Sequence, residues 1–144
     1  MNVPPSCGAN NVGCKSGDPV DGSEPVDALG RRVTVTPSDA MGQVGHTARV
    51  CGVVASAVYD AGSRAHPTFV TMLDANQPNT SRVLTAVIYG TDRAKFGVAP
   101  ETALQGRRLC VTGFVSFFRQ RPEMILSDPR QLSFVAPPSI AELR

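Results

Sequence analysis

The stretch that most constrains this chain is a pair of β-rich segments near its C-terminal end, joined by a short polar turn. The segments cover residues 109–118 and 124–126, and Arg119-Gln120-Arg121-Pro122 lies between them. This pattern predicts a β-hairpin with a positively charged tip. Gly113, inside the first segment, indicates a bulge, a sharp bend or a close backbone approach. Small closed barrels bend their strands at glycines of this kind.

Three more β-segments precede the hairpin, at residues 46–59, 68–73 and 82–89. In the third of them Leu84, Ala86 and Ile88 share one face, and Thr85, Val87 and Tyr89 share the other. Thr36 and Pro37 are typical of the N-cap and first position of a short helix, and Thr91 is typical of the N-cap of a second one that ends at Phe96. The prediction is an all-β fold, a five-stranded Greek-key OB-fold barrel with one short helix before strand 1 and another between strands 3 and 4.

The composition divides the chain into a domain and two tails. Residues 1–30 hold many Gly, Pro, Ser, Asn and Asp and few large apolar side chains, so they are predicted to be disordered or loosely ordered. The OB-fold domain is predicted over 31–134, and 135–144 form a C-terminal tail. Cys7 and Cys14 match no common zinc spacing, and a local disulfide or two free thiols are expected there.

Charge and motifs narrow the classes of function. The chain carries 14 Lys and Arg against 12 Asp and Glu, and its net charge is +2. No apolar run reaches ~18 residues, so no membrane span is expected. The first residues do not resemble a signal peptide, which leaves a cytosolic protein or a chain that begins after a leader. With no nucleophile elbow and no phosphate loop, we expect no catalytic residue, metal or cofactor.

Several short pieces, in order, carry a resemblance. They are residues 36–40, 50–54, 67–69, 85–90, 92–96, 106–113 and 128–129. Over 36–132 the chain resembles a bacterial OB-fold family whose members occur as single domains and as modules attached to secreted nucleases. That family is related in fold to the anticodon-binding barrels. The resemblance implies an OB barrel and nucleic-acid binding.

Two cysteines fall on strands that are neighbours in an OB barrel. Cys51 lies one residue before Gly52, and Cys110 lies three before Gly113, so the two cysteines share the strand face opposite the glycines. Directly opposite positions on adjacent strands are close enough for a bridge. A Cys51–Cys110 disulfide and two buried free thiols both remain open. A disulfide would place the protein in a secreted or periplasmic compartment, and free thiols would favour the cytoplasm.

OB-folds bind oligonucleotides or oligosaccharides on the face of strands 2 and 3, with the 1–2 and 4–5 loops. If Val115 and Phe117 face inward, Phe114 and Phe118 face outward, where aromatic rings can stack on bases. The predicted nucleic-acid-binding residues are Arg64, His66, Tyr89, Arg93, Lys95, Phe118, Arg119 and Arg121. Tyr89 and Phe118 could instead pack beneath the loops.

The resulting hypothesis is a non-catalytic module that binds single-stranded DNA or RNA weakly and with little sequence preference. Aromatic stacking and phosphate contacts from Arg and Lys would supply the affinity. The alternative is a protein–protein interaction or assembly module that uses the same barrel face, because aromatic and Arg side chains also anchor protein interfaces. The oligomeric state is left open by the sequence.

Overall fold

A computed structural model describes residues 25–26, 33–76 and 82–135 of the chain. Over these ranges the strands are β1 (Thr34–Val35), β2 (Thr47–Tyr59), β3 (Thr68–Leu73), β4 (Leu84–Ile88), β5 (Arg108–Phe118), β6 (Arg121–Ile125) and β7 (Leu132–Phe134). The α-helices are α1 (Gly90–Arg93) and α2 (Pro100–Ala103), and 3-10 helices cover Pro37–Gln43, Ala94–Phe96 and Pro129–Gln131. None of these helices is long and apolar enough to cross a membrane.

The predicted tails fall almost entirely outside the described residues. Within the first of them, Pro25 is buried and its carbonyl accepts a hydrogen bond from the Val33 amide at 2.8 Å. The division into a domain and two tails stays a prediction.

Five strands close into the predicted barrel. β2 pairs antiparallel with β3, and β3 pairs antiparallel with β4. β4 runs parallel to β6, β6 pairs antiparallel with β5, and β5 closes the circle on β2. This order is that of the OB-fold, so the predicted fold class is confirmed. β1 and β7 add to β2 and β5, and β7 was not predicted because three residues are too few for a periodic pattern.

The core is filled by every second residue of the barrel strands, because successive strand residues point to opposite faces. Leu84, Ala86 and Ile88, which were predicted to share one face of their strand, point inward and are buried. Large side chains from the other strands pack against them. Burying each one fully contributes about 1.5–3 kcal/mol to the stability of the fold. These include Val50, Val54, Val70, Met72, Leu109, Val111, Val115 and Met124.

The two strand glycines are sites of close approach. A Cβ at Gly52 would overlap the Leu73 carbonyl oxygen and the Pro37 ring, and one at Gly113 would lie 2.9 Å from Nε2 of Gln131. The β2–β5 register runs unbroken past both glycines. The bulge falls elsewhere, between Val54 and Ser56 of β2.

Cys51 and Cys110 form a disulfide across the β2–β5 pairing. They stand directly opposite each other in the register, with their Cα atoms 4.0 Å apart. Of the two alternatives that the sequence left open, the bridge is the one the structure shows. It joins the first and fourth barrel strands, so the closure of the barrel is covalent.

The segment before β2 starts where it was predicted to start but forms a 3-10 helix, Pro37–Gln43. Thr36 does not cap the backbone with its side chain; its Oγ1 donates to Oδ2 of Asp39 at 3.2 Å. The capping group is the buried Asp74, which accepts from the Ser38 amide at 2.8 Å and the Ser38 hydroxyl at 2.6 Å. The N-cap of the second predicted helix is Tyr89, two residues before Thr91, and the helical segment ends at Phe96 as predicted.

Candidate functional site

A cleft of about 710 Å³ opens on the outside of the barrel, between the β2–β3 loop and the β5–β6 turn. Both loops and the outer face of three strands contribute to it. The loop supplies Asp60, Ser63, Arg64 and Pro67; the strands β3, β4 and β6 supply Phe69, Thr85 and Glu123; and the hairpin supplies Phe118, Arg119, Arg121 and Pro122. This is the face that OB-folds use for binding oligomeric ligands.

The strand register explains the polar floor of the cleft. Thr71 of β3 pairs with Thr85 of β4, and Thr85 pairs with Glu123 of β6. Glu123 in turn pairs with Ser116 of β5. A row of three hydroxyls and one carboxylate therefore crosses four strands on the outer face.

Two aromatic rings border this floor. Phe69 faces outward because its neighbours Thr68 and Val70 face the core, and 37% of its surface is exposed. Phe118 lies on the same side of β5 as Ser116 and is 53% exposed. Each ring offers a flat apolar surface on which a planar group can stack.

The β2–β3 loop is held by its own hydrogen bonds. The Asp60 amide donates to the Pro67 carbonyl at 2.8 Å, and the His66 amide donates to the Ser63 carbonyl at 3.1 Å. The Gly90 amide donates to the Ala65 carbonyl at 2.8 Å, and a Cβ at Gly90 would come within 3.0 Å of that oxygen. Arg64 therefore lies in a loop that is fixed by its own hydrogen bonds and by contact with the start of α1.

Backbone strain is concentrated at the cleft. In the described ranges the non-glycine residues with positive φ are Ala65 (69°), His66 (45°), Arg119 (53°) and Gln120 (67°). The first pair lies in the β2–β3 loop, and the second pair forms the two-residue β5–β6 turn, where a type I′ turn normally holds Asn and Gly. Left-handed backbone costs about 1–2 kcal/mol per residue, and such strain tends to cluster at ligand clamps.

Four of the eight predicted binding residues meet at the cleft: Arg64, Phe118, Arg119 and Arg121. The Arg119 guanidinium lies 5.2 Å from the centre of the Phe118 ring. Within the described part of the chain, none of the three arginines forms an ion pair. Their charges are available to an anion.

The other four do not line the cleft. Arg93 donates to both Glu101 oxygens, at 2.9 and 2.8 Å, and stacks over the Tyr59 ring at 3.9 Å. Nζ of Lys95 pairs with Asp92 at 2.9 Å. Nδ1 of His66 lies 2.8 Å from the Ala61 carbonyl oxygen, and Tyr89 is 38% exposed at the N-cap of α1. Contact of these four with a ligand stays a prediction.

One condition of the strand prediction, that Phe117 faces inward together with Val115, is not met. Val115 is buried, but Phe117 is 54% exposed. Beyond Val115, β5 pairs only with β6, so the end of the hairpin leaves the barrel and both of its faces reach solvent. The outward orientation of Phe114 and Phe118 is confirmed.

Sequence reasoning missed two main cleft residues, Phe69 and Glu123. The sequence of β3 does not show which way Phe69 points, because each face of the strand carries one threonine and two apolar residues. Glu123 could not have been placed without the β4–β6 register. Burial raises the pKa of the Glu123 carboxyl above its usual value. No three His, Cys, Asp or Glu side chains of the described ranges are placed to hold a metal ion.

Comparisons with known proteins do not assign this chain to a family. No protein-family model matches the chain, and no curated protein matches it significantly. A structure from Klebsiella pneumoniae subsp. pneumoniae, provisionally described as a nucleic-acid-binding lipoprotein, is 21% identical at a TM-score of 0.46, covering 69% of this chain and 79% of that one. A Leishmania major protein, provisionally described as an aspartyl-tRNA synthetase, is 11% identical at a TM-score of 0.46. The match covers 67% of this chain and 20% of that one. Similarity this low says nothing about what this chain binds.

Proposed function

We propose that this protein is a non-catalytic module that binds single-stranded DNA or RNA in the cleft. The observation that carries the proposal is the meeting of two exposed aromatic rings, Phe69 and Phe118, with the three arginines of the cleft that lack an ion pair. A base stacked on an aromatic ring contributes about 1–3 kcal/mol whatever its identity. Guanidinium groups at the rim neutralise the phosphates that follow the stacked bases.

The number of arginines sets how strongly salt should weaken binding. Each phosphate neutralised on a single strand contributes roughly −0.7 to the slope of log K against log salt, so three contacts give a slope of about −2. Affinity should therefore fall roughly 20-fold between about 50 mM and 200 mM salt. Binding of this kind is weak and tolerant of sequence.

The test is fluorescence anisotropy with a labelled oligothymidylate of ~12 nucleotides, a length within the range that OB-folds span. Arg119→Ala/Arg121→Ala should lower affinity at least about tenfold and reduce the slope to about −0.7. Arg107→Ala/Arg108→Ala is the matched control, because it removes the same charge from outside the cleft. No binding by the wild-type protein in low salt, or equal loss in both double variants, would overturn the proposal.

One observation favours the second candidate, an assembly module. Phe117 is exposed on the side of β5 opposite Phe118 and does not line the cleft. Exposed aromatic side chains are frequent anchors of protein interfaces, and such interfaces respond little to salt. Sedimentation velocity would then show self-association that Phe117→Ser abolishes. The nucleic-acid proposal instead expects Phe117→Ser to leave oligonucleotide affinity unchanged.

We also propose that the protein works outside the cytoplasm. The support is the Cys51–Cys110 disulfide, because structural disulfides persist in oxidising compartments. The proposal agrees with membership of the bacterial OB-fold family that includes modules of secreted nucleases, which the sequence resemblance supports. Acid-quenched protein from cells, denatured and alkylated without reductant, should carry no label on either cysteine. Full labelling of both would contradict an oxidising location.

A further inference from the structure

A carboxylate lies in the middle of a cleft that is bordered by arginines. Glu123 sits on β6 between its partners Thr85 of β4 and Ser116 of β5, so it belongs to the floor and not to the rim. Within the described ranges its carboxylate has no ion pair and accepts no hydrogen bond. A partly desolvated carboxylate without partners costs free energy, and it repels phosphate. Neither the stability of the fold nor phosphate binding accounts for this residue.

The surroundings of Glu123 determine which part of a nucleotide it can meet. Phe118 lies two residues along β5 from Ser116, on the same side of the sheet, and Phe69 faces outward from β3. Arg64 and Arg119 come from the loops at the rim. A nucleotide that stacks on a ring and leaves its phosphate with the rim arginines turns the edge of its base toward the floor. In that arrangement Glu123 would meet the base edge and not the phosphate.

An ionised carboxylate only accepts hydrogen bonds, so it suits an edge made of donors. The Watson–Crick edge of guanine offers two adjacent donors, N1–H and the N2 amino group, which match the two carboxylate oxygens. Adenine and cytosine offer one amino donor beside a ring acceptor. Thymine and uracil offer one donor between two carbonyl oxygens, which a carboxylate repels. Proteins commonly read unstacked bases on this edge.

We propose that Glu123 is a specificity residue that selects guanine in the cleft, by accepting hydrogen bonds from N1–H and the N2 amino group. The inference rests on the proposed function, since it requires that a single strand occupies the cleft. It modifies the expectation of sequence-tolerant binding at one base position only. Stacking and phosphate contacts remain indifferent to the base.

The test compares three single-stranded probes of ~12 nucleotides that differ only at one central base. The background is oligothymidylate, and the central base is thymine, guanine or hypoxanthine, which is guanine without its amino group. One bidentate contact discriminates bases by about 1–3 kcal/mol, so the guanine probe should bind roughly tenfold tighter than the thymine probe. The hypoxanthine probe should lose most of that advantage.

Glu123→Gln separates recognition from damage to the fold. The variant should lose the preference for guanine while binding oligothymidylate as well as the wild type or better, since a repulsive charge is gone. Asp39→Asn removes the same charge from the 3-10 helix outside the cleft and should leave the preference unchanged. Equal affinity for all three probes, or a preference that survives Glu123→Gln, would overturn the inference and leave the proposed function standing. No binding of any probe would overturn both.

Discussion

The two sides of this barrel differ in how they contribute to the stability of the fold. On the side where β2 meets β5, the register is unbroken from Thr47 opposite Phe114 to Val53 opposite Arg108, and a disulfide crosses it. We call this side the seam. On the side of the cleft, two loops hold consecutive left-handed residues, and the floor carries the Glu123 carboxylate, which has no ion pair among the described residues. The seam contains an unbroken register and a covalent bridge, which stabilise the barrel, and the cleft contains left-handed residues, which cost free energy.

Gln131, beside the seam, has protein partners for both of its side-chain polar atoms. It is buried beside Gly113, and its Nε2 donates to the carbonyls of Thr112 at 3.0 Å and Ile125 at 3.2 Å. Its Oε1 accepts from the amides of Ser127 at 2.8 Å and Asp128 at 3.0 Å. At the cleft, by contrast, Glu123 and the three arginines form no ion pair within the described ranges. Binding sites commonly retain strained or uncompensated groups of this sort at the expense of stability.

The largest expected effect on stability comes from removing the disulfide at the seam. Cys51→Ala/Cys110→Ala opens a bridge between residues 59 apart in sequence, and the chain-entropy estimate for such a loop is about 4 kcal/mol. Urea denaturation should show a loss of that order in the free energy of unfolding. Oligonucleotide affinity measured on the folded fraction should not change, because the bridge does not line the cleft. A loss below about 1 kcal/mol would mean that the disulfide is not what stabilises this side.

Removing Gln131 should have the next largest effect. Gln131→Ala leaves two carbonyls and two amides unpaired where water has little access, so the free energy of unfolding should fall by roughly 2–3 kcal/mol. Gln105→Ala is a matched control: Gln105 also bonds two backbone groups, Ala57 N and Ala55 O, both at 2.9 Å, but it is exposed. Water can replace those bonds, and the control should lose less than about 1 kcal/mol. Equal losses would contradict the role given to burial.

Relieving strain at the cleft should stabilise the protein. Gln120→Gly removes the cost of a side chain at φ 67° while keeping the charge of Arg119, and the expected gain is about 1 kcal/mol. Gln43→Gly, in the 3-10 helix, should instead destabilise by about 0.5–1 kcal/mol. Thermal unfolding of both variants measures the difference. A Gln120→Gly variant that is less stable than the wild type would show that the turn is not strained.

The smallest effect concerns Glu123 and pH. Its pKa is raised in the folded protein, so the native state holds its proton more tightly than the unfolded chain does. The free energy of unfolding is therefore highest at pH values below the ordinary glutamate pKa, and it falls as the pH rises through the raised pKa. Glu123→Gln should be more stable than the wild type near pH 7, and the gain should vanish at pH values below the ordinary range. A gain of the same size at both pH values would contradict the shift.

Local patterns predicted most of the fold and part of the site. The alternation of Leu84, Ala86 and Ile88 placed β4, and the parity of Cys51 and Cys110 made their bridge conceivable. Arg119 and Arg121 were predictable because both fall in the polar turn predicted at residues 119–122, although the turn is only Arg119-Gln120 and Arg121 begins β6. The pairing of Glu123 with Thr85 depends on a parallel register between strands far apart in sequence, which no local pattern contains.

Two further differences have physical reasons. Phe117 keeps the inward parity of Val115, but parity does not show where a strand leaves the barrel. Arg93 was expected to meet a ligand, which stays a prediction, but its Nη2 donates to both carboxylate oxygens of Glu101 of α2. Such a partner is visible only once α1 and α2 are placed against each other.

The most direct test of the division between seam and cleft is an amide NMR titration of the isotopically labelled protein with oligothymidylate in low salt. Binding in the cleft should shift the amides of the β2–β3 loop, the Arg119-Gln120 turn and the residues Phe69, Thr85 and Glu123. The amides that flank Cys51 and Cys110 at the seam should keep their chemical shifts. Shifts that centre on the seam, or that spread evenly over the barrel, would contradict the assignment of binding to the cleft.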